Sequence, residues 1–464
     1  MILMESRLFI DSVKSRFNDP IMKRRDFIAS TSITSLGFMA LSRCAMNLDD
    51  DDFPPTLDLV TDPDGYLDLP SGFSYKIISK SGGKMSDGLI VPGRPDGMGA
   101  FSYDQHRVII IRNHENSPDS FEDGPFGQNN ELLGLISAEK IYDFGQGAKP
   151  GLGGTTTIIY NEQNGEVESE FLSLVGTNRN CAGGVTPWKS WLSCEEDVTK
   201  SDGMSSERDH GFVFEVSAMS TGLVDPKPIL GMGRFNHEAV AVDPATHIVY
   251  LTEDRSDGLI YRYVPLNKND LHQGGDLQVL VIKSSAKLDT RNWDSKLVSV
   301  HEQLDVEWLT IDEVEAPNDD LRYRGFEMGA ARFARGEGMW AGADEIYFAC
   351  TNGGPNQLGQ IFKYNILSNT LELFKESHDK ALLNMCDNLT ISPGGLVFIC
   401  EDNPELNHLH YIDKAGQLNL FAVNRSSTSE LAGAVFSPSG RTLFVNIQGN
   451  GDTIAITGPW EHLG

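Results

Sequence analysis

The stretch Trp191-Leu192-Ser193-Cys194-Glu195-Glu196-Asp197 sets a thiol directly against three carboxylates. Negative neighbours oppose thiolate formation, so such a cysteine is either a small buried hydrophobe or the ligand of a cation. Similar polar endings close other apolar runs: Asn113-His114-Glu115, Thr252-Glu253-Asp254, Cys350-Thr351-Asn352, Cys400-Glu401-Asp402 and Asn446-Ile447-Gln448. Carboxylates gathered at one point repel each other unless a cation neutralises them, and calcium accepts about six to eight oxygen ligands. A thiolate, being soft, selects a transition metal instead. Taken singly, each ending reads as turn acids facing solvent; their recurrence points to metal. Further polar groups stand where such runs begin: Arg179 and Asn180, His237 and Glu238, Arg335 and Glu337, and Asn388. Arginine there can grip a phosphate or carboxylate bidentately, although a structural salt bridge is its ordinary role.

These endings belong to a repeat. An apolar run, a turn containing Asp, Pro or Gly, and a second apolar run ending in a polar cluster recur at 97–115, 183–196, 237–254, 338–352, 388–402 and 433–448. Strand-like pieces at 210–216, 258–264 and 359–365 fall between them as outer strands. Hairpins with outer strands, repeated, are the pattern of an all-β β-propeller, and six instances predict six blades. Corresponding strand ends then converge on one rim of a central channel. A pair of packed sheets is the competing architecture, but it does not predict the repeated polar endings. Residues 116–150 and 267–320 fit the repeat poorly and are expected to be irregular loop insertions.

The chain has 464 residues, 66 Asp plus Glu against 38 Lys plus Arg, and a net charge of −28. That balance disfavours nucleic acid and anionic membranes as partners. The same charge, with a closed propeller that leaves few free sheet edges, predicts a monomer. Lys23-Arg24-Arg25-Asp26-Phe27-Ile28 precedes an apolar, small-residue stretch from Ala29 to Ala45 and then Asp49 to Asp52. This order predicts a twin-arginine-type export signal over 1–46, an acidic linker over 47–64 and one propeller domain over 65–464, with the export machinery as a partner. The destination is the periplasm or the exterior. Leu41-Ser42-Arg43-Cys44 matches a lipoprotein cleavage box in its leucine and cysteine, which leaves a lipid anchor at Cys44 open. The six cysteines show no C-x-x-C spacing, so no disulfide framework is expected.

Together the export signal, Thr177-Asn178-Arg179-Asn180-Cys181-Ala182-Gly183-Gly184 continuing to Glu196, Arg234-Phe235-Asn236-His237-Glu238, Thr252-Glu253-Asp254, Arg335-Gly336-Glu337-Gly338 and Cys400-Glu401-Asp402-Asn403 resemble the PhoX-type alkaline phosphatases. The resemblance spans roughly 65–450. It implies an exported propeller that hydrolyses phosphomonoesters with ferric iron and calcium, unrelated to the serine-nucleophile alkaline phosphatases. It implies Cys194 and Glu253 as iron ligands, and Glu195, Glu337 and Glu401 as calcium ligands, with Glu115 and Glu238 bound to or beside the ions. Arg335 would hold the substrate phosphate with help from Arg179. Asn113, Asn180, His237 and Asn388 would orient ligands or touch phosphate. Two alternatives stay open: a calcium-dependent propeller lactonase or esterase, and a non-catalytic binding propeller stabilised by calcium.

Overall fold

A computed structural model describes residues 58–463. The segment 1–46 with Cys44, and most of the stretch 47–64, lie outside the described residues.

Every sequence unit folds as the first two strands of a blade. The inner strands are Pro95–Ser102, Asn180–Val185, His237–Val242, Gly336–Ala341, Cys386–Ile391 and Leu431–Phe436, in blades 1 to 6. Their hairpin partners are Arg107–His114, Ser190–Glu195, Val249–Glu253, Glu345–Cys350, Val397–Glu401 and Thr442–Ile447. The inner strands neighbour one another in chain order, and the sixth returns to the first, so they close a ring around the channel. Valine- and isoleucine-rich runs such as Val108 to Ile111 suit the pleated, packed surface. Both strands of the blade-6 hairpin are buried along their length, as are those of blade 3, because neighbouring blades cover both faces.

The hairpin turns carry their own chemistry. Ser392 Oγ accepts from Leu396 N (3.0 Å), Ser437 Oγ from Thr442 N (3.2 Å), and Asp243 Oδ1 from Ala245 N (3.0 Å). These local acceptors hold the backbone in a turn after the first strands of blades 5, 6 and 3. Gly395 and Gly440 supply the left-handed residue, with φ of 86° and 72°.

The ring is closed by the beginning of the described chain. Ser74–Lys80 pairs with Asp452–Thr457 as the outer strand of blade 6, and Leu67–Pro70 adds to Leu418–Asn424 of blade 5. Leu59–Val60, within the stretch read as linker, pairs with Leu67–Pro70. The region 267–320 is less irregular than expected. It contains Gly275–Ile282, the fourth strand of blade 3, and Gln303–Thr310, which joins blades 3 and 4 into one nine-stranded sheet. The alternating burial of Leu304 and Val306 against exposed Gln303, Asp305 and Glu307 is an ordinary half-buried strand that falls outside the hairpin repeat. Residues 116–150 contain only short 3-10 turns.

Three of the strand-end glutamates serve the fold. Glu195 accepts from Asn178 N (2.9 Å), Gly211 N (2.9 Å), Phe212 N (3.2 Å) and the His210 ring (2.6 Å). Glu253 accepts from Leu259 N (3.2 Å) and Tyr261 Oη (2.8 Å), with Arg322 Nη1 at 3.5 Å. Glu401 accepts from Asn384 N (2.7 Å), His408 N (3.2 Å), and the rings of His408 (2.7 Å) and His410 (3.1 Å). In each case a buried carboxylate ties the end of the second strand to the start of the third. These side chains bond within their own blades, and Glu401 with His408 and His410 forms a group that could itself hold a metal ion.

Two measurements test this. Phe398 is fully buried where blades 5 and 6 meet, 5.3 Å from Phe421 and 5.2 Å from Phe436 between ring centres. Phe398→Ala is expected to cost about 3–5 kcal/mol, read from denaturant unfolding. The second test concerns His210, which bridges Glu195 and Asp143 (3.2 Å). Burial alone would lower its pKa, but the carboxylates outweigh it and push it up to about 10. The stabilisation is complete below the unfolded value of about 6.5, and is lost as pH rises through about 10. Stability should therefore fall across that window, by on the order of a few kcal/mol. His210→Gln should flatten the alkaline slope, and an unchanged slope would refute the assignment.

Candidate metal centre

Three circles of residues crown the inner ring. The first precedes each inner strand: Arg94, Arg179, Asn236, Arg335, Met385 and Glu430. Their carbonyls accept from Glu115 N, Glu196 N, Asp254 N, Thr351 N, Asp402 N and Gln448 N, at 2.9, 2.9, 3.2, 3.0, 3.0 and 3.3 Å. Those six donors, each just past a second strand, form the second circle. The third lies two residues after the first: Asp96, Cys181, Glu238, Glu337, Asp387 and Ala432.

The backbone explains why these side chains converge. Each inner strand carries a bulge near its start, where three residues span two of the partner, as from Pro95 to Met98 against His114 to Arg112. A bulge bends the strand and re-aims the side chains beside it. Arg94, Arg179, Arg335 and Met385 take φ of 47°, 45°, 50° and 59°, a left-handed conformation that non-glycine residues seldom adopt. Such backbone costs on the order of 1 kcal/mol per residue and persists where the surroundings enforce it, commonly at functional sites.

The resulting cluster is strongly acidic. Asp96, Glu115, Glu196, Glu238, Asp254, Glu337, Asp387, Asp402 and Glu430 face the guanidinium groups of Arg94, Arg179 and Arg335. Arg335 forks onto Asp254 (2.9 and 2.9 Å) and reaches Glu337 (2.8 Å). Arg179 bonds Glu115 (3.0 and 2.8 Å) and Glu196 (2.5 Å). Arg94 bonds Glu115 (3.1 Å). Nine carboxylates outnumber the three arginines by six. Burial and mutual repulsion push the carboxyls of Asp96, Glu238, Glu337 and Glu430 well up, with Glu196 at about 8 and Asp387 at about 7. Burial, then Glu238, raises the Cys181 thiol likewise.

Multivalent cations fit this donor set. Ligand atoms of Asp96, Glu115 and Cys181 lie within 4.8 Å of one another, as do those of Cys181, Glu196 and Glu238. Glu238, Glu337 and Asp387 form an all-oxygen group, and Asp387, Asp402 and Glu430 another. Glu238 Oε2 is buried without a hydrogen-bond partner, the state expected of an oxygen reserved for an ion. The thiol side suits a transition metal and the oxygen side a hard cation.

Of the residues singled out in the sequence, Arg179, Arg335, Glu115, Glu238 and Glu337 meet in this cluster. Others do not. Cys194 is fully buried in the apolar layer between blades 2 and 3, and the thiol at the centre is Cys181. In place of Glu195, Glu253 and Glu401 stand the next residues, Glu196, Asp254 and Asp402, because successive strand side chains face opposite ways. His237 lies under Phe235, ring centres 3.6 Å apart, and bonds Gly233 O; burial holds its pKa down to about 3. Asn180 is spent on Thr177 and Ser193. Asn113 donates to Cys181 O (3.1 Å) and Ala182 O (2.7 Å), which makes it a positioning residue for the thiol strand. No hydrogen bond among the described residues gives Asn388 a role. Asp96, Asp387, Glu430 and Arg94 escaped the reading of strand ends. The signal for three of them was the spaced pairs Arg94-x-Asp96, Arg179-x-Cys181, Arg335-x-Glu337 and Met385-x-Asp387.

None of the curated proteins matches the chain. Among solved structures it resembles PhoX of Pseudomonas fluorescens, determined in complex with vanadate, a transition state analogue. Identity is 18% and the TM-score 0.64, over 87% of this chain and 97% of that one. A gluconolactonase from Xanthomonas campestris matches at 12% identity and a TM-score of 0.39, over 88% of this chain and 99% of that one. The family model of alkaline phosphatase PhoX matches residues 55–164 and 154–451, so most of the propeller carries its pattern. The chain belongs to the PhoX alkaline phosphatase family.

Proposed function

We propose that the protein is an exported, metal-dependent phosphomonoesterase that releases inorganic phosphate from small organic esters. The observation that carries this reading is the meeting of Cys181, nine carboxylates and three arginines on one rim of a PhoX-family propeller. The ferric iron expected in this family belongs with Cys181 and its neighbours Asp96, Glu115, Glu196 and Glu238. Calcium belongs with Glu337, Asp387, Asp402 and Glu430. When bound, such ions supply the multivalent positive charge that phosphoryl transfer requires and acidify water.

The chain's own residues do the positioning. Arg335, held by Asp254 and Glu337 through Nε and Nη2, makes no hydrogen bond at Nη1 among the described residues and offers it to a phosphoryl group. Arg179, in blade 2, has its plane fixed by Glu196 and Glu115. Asn113 and the bulge of blade 2 hold the Cys181 backbone, so that the thiol need not reorganise. That a PhoX protein takes vanadate as a transition-state analogue supports a trigonal phosphoryl group as the bound species. A plain calcium funnel, as in a lactonase or a non-catalytic propeller, has no use for a thiol set among its carboxylates.

The test is hydrolysis of p-nitrophenyl phosphate with metal analysis on the same preparations. Chelation should abolish activity, and readdition of iron and calcium should restore it. Cys181→Ser should lose iron and lower kcat by at least 100-fold. Cys194→Ser should keep both, although a hydroxyl in its apolar layer costs about 1–3 kcal/mol of stability. Zinc alone, no bound metal, or an active Cys181→Ser variant would overturn the proposal. Export is checked separately: Arg24→Lys with Arg25→Lys should retain the protein inside the cell, read by fractionation.

A further inference from the structure

Arg94, Arg179 and Arg335 hold the same place in three blades, with the same left-handed backbone and the same carbonyl contact to the second circle. Their side chains are not used alike. Arg335 bonds Asp254 and Glu337, and Arg179 bonds Glu115 and Glu196. Arg94 and Arg179, on adjacent blades, divide Glu115 between them: Arg179 takes Oε1 (2.8 Å) and Arg94 takes Oε2 (3.1 Å). Arg94 Nε also donates to Glu115 O (2.9 Å). Neither Nη1 makes a hydrogen bond among the described residues, and the two side chains remain 43% and 38% exposed. Two guanidinium groups anchored on one carboxylate, each with N–H groups to spare, make a seat for a further anion.

The seat lies across the ring from Arg335, since blade 4 stands three places from blade 1. A phosphoryl group oriented by Arg335 therefore leaves the Arg94–Arg179 pair facing the other end of the substrate. In a chain of net charge −28 a second anionic group would otherwise be repelled. We infer that Arg94, with Arg179, is a specificity-determining residue that favours phosphate monoesters whose leaving group carries a second anion, a carboxylate or another phosphate. This rests on the phosphatase reading of the centre.

The experiment compares matched substrates on the metal-loaded enzyme. Glycerate 3-phosphate and glycerol 3-phosphate differ by a carboxylate against a hydroxymethyl group. Fructose 1,6-bisphosphate and fructose 6-phosphate differ by a second phosphate, and so separate the two anion types. Wild type should favour the charged member of at least one pair. Arg94→Gln should lower that kcat/KM ratio about tenfold, chiefly through KM, as expected for one charge-assisted hydrogen bond. Arg94→Lys should recover part of it. A ratio unchanged within twofold, even if both rates fall, overturns the proposal and leaves Arg94 as a prop for Glu115. Failure of wild type on all four substrates and on p-nitrophenyl phosphate would instead defeat the phosphatase reading.

Discussion

Like-charge repulsion at the channel rim is the constraint around which the molecule is organised. Nine carboxylates are held close together and largely buried, and burial, then mutual repulsion, raises the pKa of most of them. A loose chain would relieve this by moving apart. Here the acids are fixed on the inner strands and second-strand ends of a closed ring, each blade locked by the same carbonyl contact. The repulsion is thus held in the fold, and cations would relieve it. On the proposed reading, metal binding would be coupled to folding through the protons the acids give up.

The geometry follows from two local devices, one present in all six blades and the other in four. The bulge lets the second residue of an inner strand reach the centre, and the left-handed residue before it allows the chain to turn onto the rim. Without the bulge, strict alternation would place that side chain between blades. The cost in backbone strain is carried by apolar burial of the hairpins, whose strands are covered on both faces.

The hairpin repeat, the turn residues and the number of inner strands were readable because period-two patterning and Asp, Pro and Gly turns are local properties. So was the convergence of polar strand ends. What could not be read was which of two adjacent residues faces the channel. Glu195 and Glu196 are indistinguishable in composition, yet one meets His210 and the other Arg179. A shift of one residue in a strand exchanges the two faces, and the same shift separates Glu253 from Asp254 and Glu401 from Asp402. Cys194 drew notice because acids follow it in sequence, whereas Cys181 has acids around it only in space. The bulges were invisible for the same reason: an unpaired residue leaves no mark in an apolar pattern.

The six-fold scaffold is broken by substitution, and the breaks are ordered. The third circle offers carboxylates in four blades, a thiol in blade 2 and only Ala432 in blade 6. Where blade 6 lacks that carboxylate, Glu430 supplies one from the first circle, at the place where blades 1, 2 and 4 hold arginine. An arginine at 430 would put a cation beside Asp387 and Asp402 and compete with any ion for their oxygens. A glutamate adds no further cation to that side, where Arg335 of blade 4 already acts on Asp387 and Asp402, while Arg94 and Arg179 keep guanidinium groups beside the thiol side. Blades 5 and 6 therefore contribute oxygen and no cation of their own, and blades 1 and 2 combine a soft donor with fixed positive charge. A hard ion gains most from the first arrangement. The second would set a softer metal and an incoming anion on the same rim, the juxtaposition that the proposed phosphoryl transfer needs.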